Sequence, residues 1–414
     1  MKKIILYAAL TVVVSLIVNG CERDKLPIID PYPVEIFEPA SPQKSNDIKL
    51  YVHYMPWFET PETNGGAWGQ HWTMANKNPN NMDENGKREI AAHYYPLIGP
   101  YASGDKDALG YHLLLMKYSG IDGLLVDWYG TRDLYDYPAV KRNTEVLMEV
   151  AGKVGLELAI VYEDQTLRAE MEGTDEKMAQ AQADMKYLEV NFFNKSNYIK
   201  VDGKPLLLVF GPQEISSPDN WSTILSVLNT KPSFLALYGH SGATNSAATK
   251  NAQGEYIWVD ATSMDTKYAA KDNFELFMGG AYPGFHDFYK EGGWGESVLS
   301  SIDYADGATF RNLLNMAKSN HVDMLQLITW NDFGEGTMIE PTEEFGYSFL
   351  SELQTFSGIS YNTPVLEDIY KYYVLKKQYP NNLKVQSALS QAFYYFISLQ
   401  QDKARSILDE YKVN

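Results

Sequence analysis

The sequence predicts an α/β fold, a (β/α)8 TIM-type barrel with a C-terminal helical extension. Two observations carry that expectation. From residue 47 onward, short apolar runs alternate with stretches of helical periodicity, and eight such runs are present. That is the pattern of a parallel sheet with helical crossovers. Polar and aromatic clusters also recur behind the runs, at Pro56-Trp57-Phe58, Asp127-Trp128-Tyr129, Tyr162-Glu163-Asp164, Tyr282-Pro283-Gly284 and Trp330-Asn331-Asp332. In a barrel the loops at the C-terminal ends of the strands carry the chemistry, so clusters at matching ends outline a cleft. An open doubly wound sheet is the alternative that the same alternation allows.

Taken in order, residues 48–55 (IKLYVHYM) read as the first strand. A long Gly- and Asn-rich loop precedes a helix over 106–118, which Gly120 stops, and a strand over 121–128 (IDGLLVDW). A helix at 139–153 feeds strand 156–162 (LELAIVY), and a helix at 175–193 feeds strand 205–210 (PLLLVF). A short helical piece at 224–228 leads to strand 233–238 (SFLALY). Runs at 256–259, 274–282 and 324–330 complete the set, the last fed by a helix at 308–319. The tail over 364–413 reads as two or three amphipathic helices packed on the barrel. Its Ala and aromatic spacing suggests one tetratricopeptide-like repeat, a unit that rarely stands alone.

Composition narrows the class. The chain has 414 residues, 45% of them apolar and 13% aromatic, enough for a large core. Thirty Tyr and eight Trp suit a sugar-holding cleft as well as a core rim. Lys plus Arg is 35 against 53 for Asp plus Glu, a net charge of −18. No nucleic-acid partner is expected from that balance. Cys21 is the only cysteine, so it has no internal disulfide partner. It follows Met1-Lys2-Lys3 and an apolar run over 4–18, a secretory pattern too short for a comfortable membrane span. Val18-Asn19-Gly20-Cys21 resembles a bacterial lipobox, in which the thiol carries lipid. The Pro-rich stretch over 26–43 reads as an extended tether. The expected division is a signal peptide at 1–20, an anchor and tether at 21–45, the barrel at 46–360 and the helices at 361–414. The expected location is the bacterial cell envelope, with the membrane engaged through Cys21.

The chemistry falls to carboxylates. Seven scattered His show no metal-ligand spacing, so no metal is expected. No Walker or Gly-x-Gly-x-x-Gly fingerprint occurs, and no cofactor is expected. Gly239-His240-Ser241-Gly242-Ala243 lacks the second glycine of a nucleophile elbow. By contrast, 325–341 reads LQLITWNDFGEGTMIEP, an apolar strand that breaks into a Gly-rich turn bearing Asp332 and Glu335. That spacing can aim two carboxyls into one cavity, the pair that glycoside hydrolysis needs. Close acids also split their pKa values, so that one keeps its proton near neutrality.

The segment WNDFGEGTMIEP resembles the N-E-W-x-E-G-T motif of the glycoside hydrolase family 99 endo-α-mannosidases. It is also similar to the W-N-D-[YF]-G-E signature of the family 71 α-1,3-glucanases. Tyr54-Met55-Pro56-Trp57-Phe58, Trp68-Gly69-Gln70-His71-Trp72, Gly120-Ile121-Asp122-Gly123 and Tyr282-Pro283-Gly284-Phe285 add to the likeness, which spans roughly 46–357. The resemblance implies a barrel that cleaves internal α-linkages of an oligosaccharide or polysaccharide with retention. By position it makes Asp332 the base that assists the sugar 2-hydroxyl, through a 1,2-anhydro intermediate, and Glu335 the general acid/base. Asp332 stands where family 99 carries Glu, and family 71 has Asp there, so an α-glucan competes with an α-mannan as substrate.

Further binding residues are expected at the strand ends. Trp57, Trp72, Trp128 and Tyr282 are candidate stacking platforms. Asp127, Tyr162 and Glu163 are candidate hydroxyl binders, since a charge closing an apolar strand is costly without a partner or a role. Tyr54, His71, Trp330 and Asn331 complete the set, as residues beside the cleft that orient hydroxyls or a carboxylate. A non-catalytic glycan-binding protein, or a scaffold that recruits partners through its helical tail, remains a competing class. One expectation is directly testable: Cys21→Ser should move the protein from the membrane fraction to the soluble fraction. Retention of the variant on membranes after a salt wash would refute the lipobox reading.

Overall fold

The computed structural model describes residues 32–413. The expected signal segment and Cys21 lie outside them. The first half of the barrel is β1 (Lys49–Tyr54), a one-turn α1 (Gln70–Thr73), α2 (Lys106–Lys117), β2 (Gly123–Trp128), α3 (Tyr137–Val154), β3 (Glu157–Tyr162), α4 (Thr174–Leu188), β4 (Lys200–Val201) and β5 (Lys204–Val209). Then come α5 (Pro218–Leu225), β6 (Ser233–Leu237), β7 (Gly254–Tyr256), α6 (Met264–Ala269), β8 (Leu276–Ala281), α7 (Tyr289–Gly292), α8 (Ala308–Ser319) and β9 (Met324–Leu327). The chain ends in α9 (Ser348–Ser357), α10 (Thr363–Gln378), α11 (Leu383–Ile397) and α12 (Gln401–Leu408).

Every strand except β4 joins one parallel ring in chain order, and β9 returns to β1 with Lys49 opposite Met324 and Val52 opposite Leu327. The closed ring excludes the open sheet and establishes the (β/α)8 barrel. Its strands are apolar on both faces because both are covered, by the interior and by the helix layer. All six residues of β2 are buried. Two polar side chains inside the barrel pair with each other: His53 Nδ1 lies 3.3 Å from Gln326 Oε1, and Gln326 Nε2 donates to Ile257 O at 3.1 Å.

The differences from expectation are local. α5 starts at Pro218, ahead of the expected 224–228, because proline's fixed φ and missing N–H suit a first helical turn. β4 and β5 form an antiparallel hairpin around Asp202 and Gly203, both at positive φ, which the sequence reading did not foresee. α4 gives way at Leu188 to one wider turn, Glu189–Phe193. β7 ends at Tyr256, short of the expected 259, and Trp258 beyond it leans edge-on against the His53 ring at 4.8 Å.

The C-terminal helices cover the flank of α2. Tyr111 meets Tyr373 at 5.4 Å between ring centroids, Tyr118 OH donates to Phe396 O at 2.9 Å, and Lys377 pairs with Asp105 at 2.5 Å. Residues 32–46 have no helix or strand and lie along α11 and α9. Glu35 N donates to Gln391 Oε1 at 2.7 Å, Ala40 N to Ile397 O at 2.9 Å, and Ser45 N to Ser357 O at 3.1 Å.

One glycine controls the tightest strand contact. A Cβ on Gly254 would stand 1.7 Å from the carbonyl oxygen of Leu276 in β8, and neither backbone can retreat without parting β7 from β8. Gly254→Ala is therefore predicted to cost at least about 2 kcal/mol in denaturant unfolding. Gly242→Ala has nothing within 4 Å of the new Cβ and should stay within about 0.5 kcal/mol. Equal effects of the two would contradict the contact.

Candidate active site

Alternation along the strands decides which side chains enter the barrel mouth. In β1 and just beyond it, His53 and Met55 face a cavity of about 460 Å3, while Tyr54 turns outward to His112 on α2, 3.3 Å from OH to Nδ1. At β2, Asp127 and Tyr129 line the cavity, whereas Trp128 stacks on Tyr187 of α4 at 5.9 Å. At β3, Glu163 lines it, while Tyr162 OH donates to Asp184 of α4 at 2.8 Å. Trp330 is buried beside His112, 5.5 Å between centroids.

Of the expected residues, Trp57, His71, Asp127, Glu163, Asp332 and Glu335 share this cavity. Tyr54, Trp72, Trp128, Tyr162, Tyr282, Trp330 and Asn331 do not line it. Trp72 is buried against Phe58 with Nε1 donating to Tyr101 O at 2.8 Å, and Tyr282 OH donates to Asp260 O at 2.6 Å. Asn331 joins two loops: its Oδ1 accepts Met55 N at 2.8 Å and its Nδ2 donates to Met55 O at 3.0 Å. Sequence reasoning missed Tyr129, Trp258, Tyr289, Trp294 and Glu296. Tyr129 was recoverable from the period of two. Nothing local marks the other four, three of which arrive on loops and one, Tyr289, at the start of the one-turn α7.

The turn after β9 is built around its two acids. Thr329 Oγ1 accepts Asp332 N at 2.8 Å, and Asp332 Oδ1 accepts Glu335 N at 2.9 Å. The loop after β8 runs alongside, with His286 N donating to Glu335 O at 2.9 Å and Phe288 N to Gly334 O at 2.8 Å. Gly336 is required there: its φ is +68°, and a Cβ would stand 2.6 Å from His286 O. Tyr289 OH donates to Glu335 Oε1 at 3.1 Å, while Oε2 is buried with no donor from the described residues. Across the cavity, the His71 ring stacks on Trp57 at 4.1 Å, and its Nε2 lies 3.1 Å from Asp136 Oδ2. Trp294 stands edge-on to His71 at 5.5 Å, at the mouth.

Four acids in one low-dielectric cleft cannot all ionise together. Burial raises Asp332 to about 7, opposed by the backbone N–H groups of Glu335 and Gly334. Burial and then the Asp332 charge push Glu335 well above the carboxylate range. Asp127 rises by burial, with the charges of Glu163 and Asp332 adding to it. Burial lifts Glu163 to about 8. The arrangement holds protons at neutrality, with Asp332 ionising ahead of Glu335.

A family model described as "Glycosyl hydrolase family 99" matches residues 45–345, most of the chain. The chain belongs to glycosyl hydrolase family 99. It is a glycoside hydrolase, and its substrate is a glycan. A Danio rerio "glycoprotein endo-alpha-1,2-mannosidase-like protein" is 21% identical over 74% of this chain and 73% of its own length. A human protein of the same description is 22% identical, covering 70% of this chain and 68% of its own. In fold, the family 99 endo-α-mannosidase structure from Bacteroides thetaiotaomicron superposes with a TM-score of 0.58 at 19% identity, covering 76% of this chain and 96% of that one.

The raised acids of this family 99 site set a pH dependence of stability. The folded state keeps a proton on Glu163 between its ordinary value near 4.5 and about 8. That contribution to stability is complete below pH 4.5 and is lost as pH rises through 8. Glu163→Gln should therefore gain little at pH 4.5 and more with each step upward, on the order of 1 kcal/mol or more by pH 8. Thermal melts of both proteins from pH 4.5 to 8.5 measure it; a difference that does not widen would refute the assignment.

Proposed function

We propose that this family 99 chain is an endo-acting, retaining α-glycosidase that cleaves internal linkages of an α-mannan-type glycan. The observation that carries the reading is the unequal environment of Asp332 and Glu335, three residues apart in one cavity. Backbone N–H groups favour charge on Asp332, while burial and that charge keep the proton on Glu335. Unequal environments of this kind separate base from acid.

In this reading Glu335, held by Tyr289, gives its proton to the leaving glycosidic oxygen as the bond to the anomeric carbon breaks. Asp332 takes the proton of the sugar 2-hydroxyl, whose oxygen closes on the anomeric carbon to form a 1,2-anhydro sugar. Water then opens that ring: Glu335, now ionised, takes the water proton, and Asp332 returns its proton to the 2-oxygen. Two inversions give net retention. The mannan preference rests on the mannosidase names of the relatives. The shorter Asp332 favours a second reading, an α-1,3-glucan substrate. The proposal includes anchoring at the cell envelope through Cys21.

Product analysis on α-mannan and α-1,3-glucan separates the substrates. Glu335→Gln should lower turnover of a natural glycan about 10²–10⁴-fold and harm an activated substrate less, since a good leaving group needs less protonation. Asp332→Asn should damage both substrates alike. Neither variant should lose fold, because each removes one of two facing acids. Near-normal turnover in either, or a collapse of the melt, would overturn the roles.

A further inference from the structure

Several buried acids of this chain are met by donors from the protein itself. Asp164 accepts the backbone N–H groups of Gln213, Glu214 and Ile215 at 2.7–2.8 Å. Asp184 accepts from Thr131, Tyr162 and Gln180, and Glu340 from Tyr101 OH at 2.7 Å with His112 Nε2 at 3.1 Å. Those acids do not line the cavity and are met by donors of the protein. Asp127 is as deeply placed, with 2% of its surface exposed, yet neither of its oxygens has a donor from the described residues. It lines the cavity, and Glu163 lines the same wall one strand away. Glu163 Oε2 accepts from Gln165.

Buried acceptors without donors are costly, and proteins leave few of them. Apart from a proton shared with the neighbouring Glu163 carboxyl, donors to Asp127 have to come from what occupies the cavity. No Lys or Arg is among the lining residues, so an arriving anion would meet Asp127, Glu163, Asp332 and Glu335 without a counter-charge. A neutral polyol brings the opposite: hydroxyl donors for the acceptors and hydroxyl oxygens for any acid proton.

We infer that Asp127 and Glu163 clamp two hydroxyls of a single sugar ring and exclude rings that carry a phosphate or carboxylate at those positions. This inference rests on the reading of the cavity as a glycan site and narrows its substrates to neutral glycans. The pair is a specificity element on the wall beside the Asp332–Glu335 turn, and it takes no part in bond breaking.

The test is calorimetric binding of a neutral α-manno-oligosaccharide, and of the same oligosaccharides with one phosphate monoester placed on successive rings. The protein is the full chain with Glu335→Gln, so that no ligand is consumed. Adding Asp127→Leu should weaken the neutral ligand at least tenfold, with Asp127→Asn intermediate. The melt should hold or rise, because an unpaired buried acid is removed. At least one phosphorylated isomer should bind at least tenfold more weakly than the neutral ligand, and Asp127→Leu should narrow that gap. Unchanged affinity in Asp127→Leu would overturn the clamp, as would a lowered melt with normal binding. Equal binding of all phosphorylated isomers and the neutral ligand would overturn the exclusion. Failure of every neutral manno- and gluco-oligosaccharide to bind the Glu335→Gln protein would instead overturn the glycan-site reading beneath it.

Discussion

The seam between β1 and β9 is the constraint on which the site depends. Parallel pairing of Lys49–Val52 with Met324–Leu327 closes the ring, and it also brings the first and last loops of the barrel into contact. The seam continues beyond the strands: Trp330 N donates to His53 O at 2.6 Å, and the Asn331 amide grips both backbone groups of Met55. Asp332 follows directly, so its position is set by strand closure from a distance of one residue. Trp57 and Phe58, on the facing loop, are fixed by the same clamp. Asn331 thus serves the site without touching the cavity, as a positioning residue whose amide matches one N–H and one C=O.

The cleft concentrates acidic groups without the cations that meet such groups elsewhere in the molecule. Acids elsewhere below the surface are met by backbone N–H groups or by cations, as in Asp164 or the Lys44–Asp122 pair at 2.5 Å. At the barrel mouth no Lys or Arg lines the cavity, and backbone N–H groups reach Asp332 but not Asp127. Buried acids with unfilled acceptors oppose folding, so these residues are retained against stability. The surrounding scaffold accommodates them through a closed barrel, a dense helix layer and the aromatic packing of Trp72, Phe58 and Phe333 beneath the cavity floor.

The opposite end of the barrel is organised differently. Lys44 reaches Ile48 O and Asp122 just before β2, and Leu50 N donates to the same carboxylate at 2.8 Å. Pro39 lies against Gly155 at the entry to β3. Residues 32–46 therefore cross the face where strands begin, away from the face where the acids stand. The described part of the segment that leads back toward Cys21 meets the fold on this side.

What could be read from the sequence divides along the same line. The barrel was legible because apolar period and helix period are local signals, and WNDFGEGT was legible because both acids lie in one turn. The strand-end aromatics were misread for one physical reason. The clusters after β2 and β3 each hold a residue pointing in and a neighbour pointing out, and side-chain size does not reveal parity. Trp128 and Tyr162, the larger members, face α4, while Asp127, Tyr129 and Glu163 face the sugar-sized space. Parity becomes decidable once a charge is required to face the cavity: a carboxylate closing an apolar strand must avoid the helix layer unless that layer supplies donors. For Tyr162 the layer does supply an acceptor, Asp184, and the phenol points outward. For Asp127 it supplies nothing, so the carboxylate points in and fixes the parity of Tyr129. The mouth residues Tyr289, Trp294 and Glu296 had no such rule, because loops and the one-turn α7 place them and neither carries a period from which to infer a face.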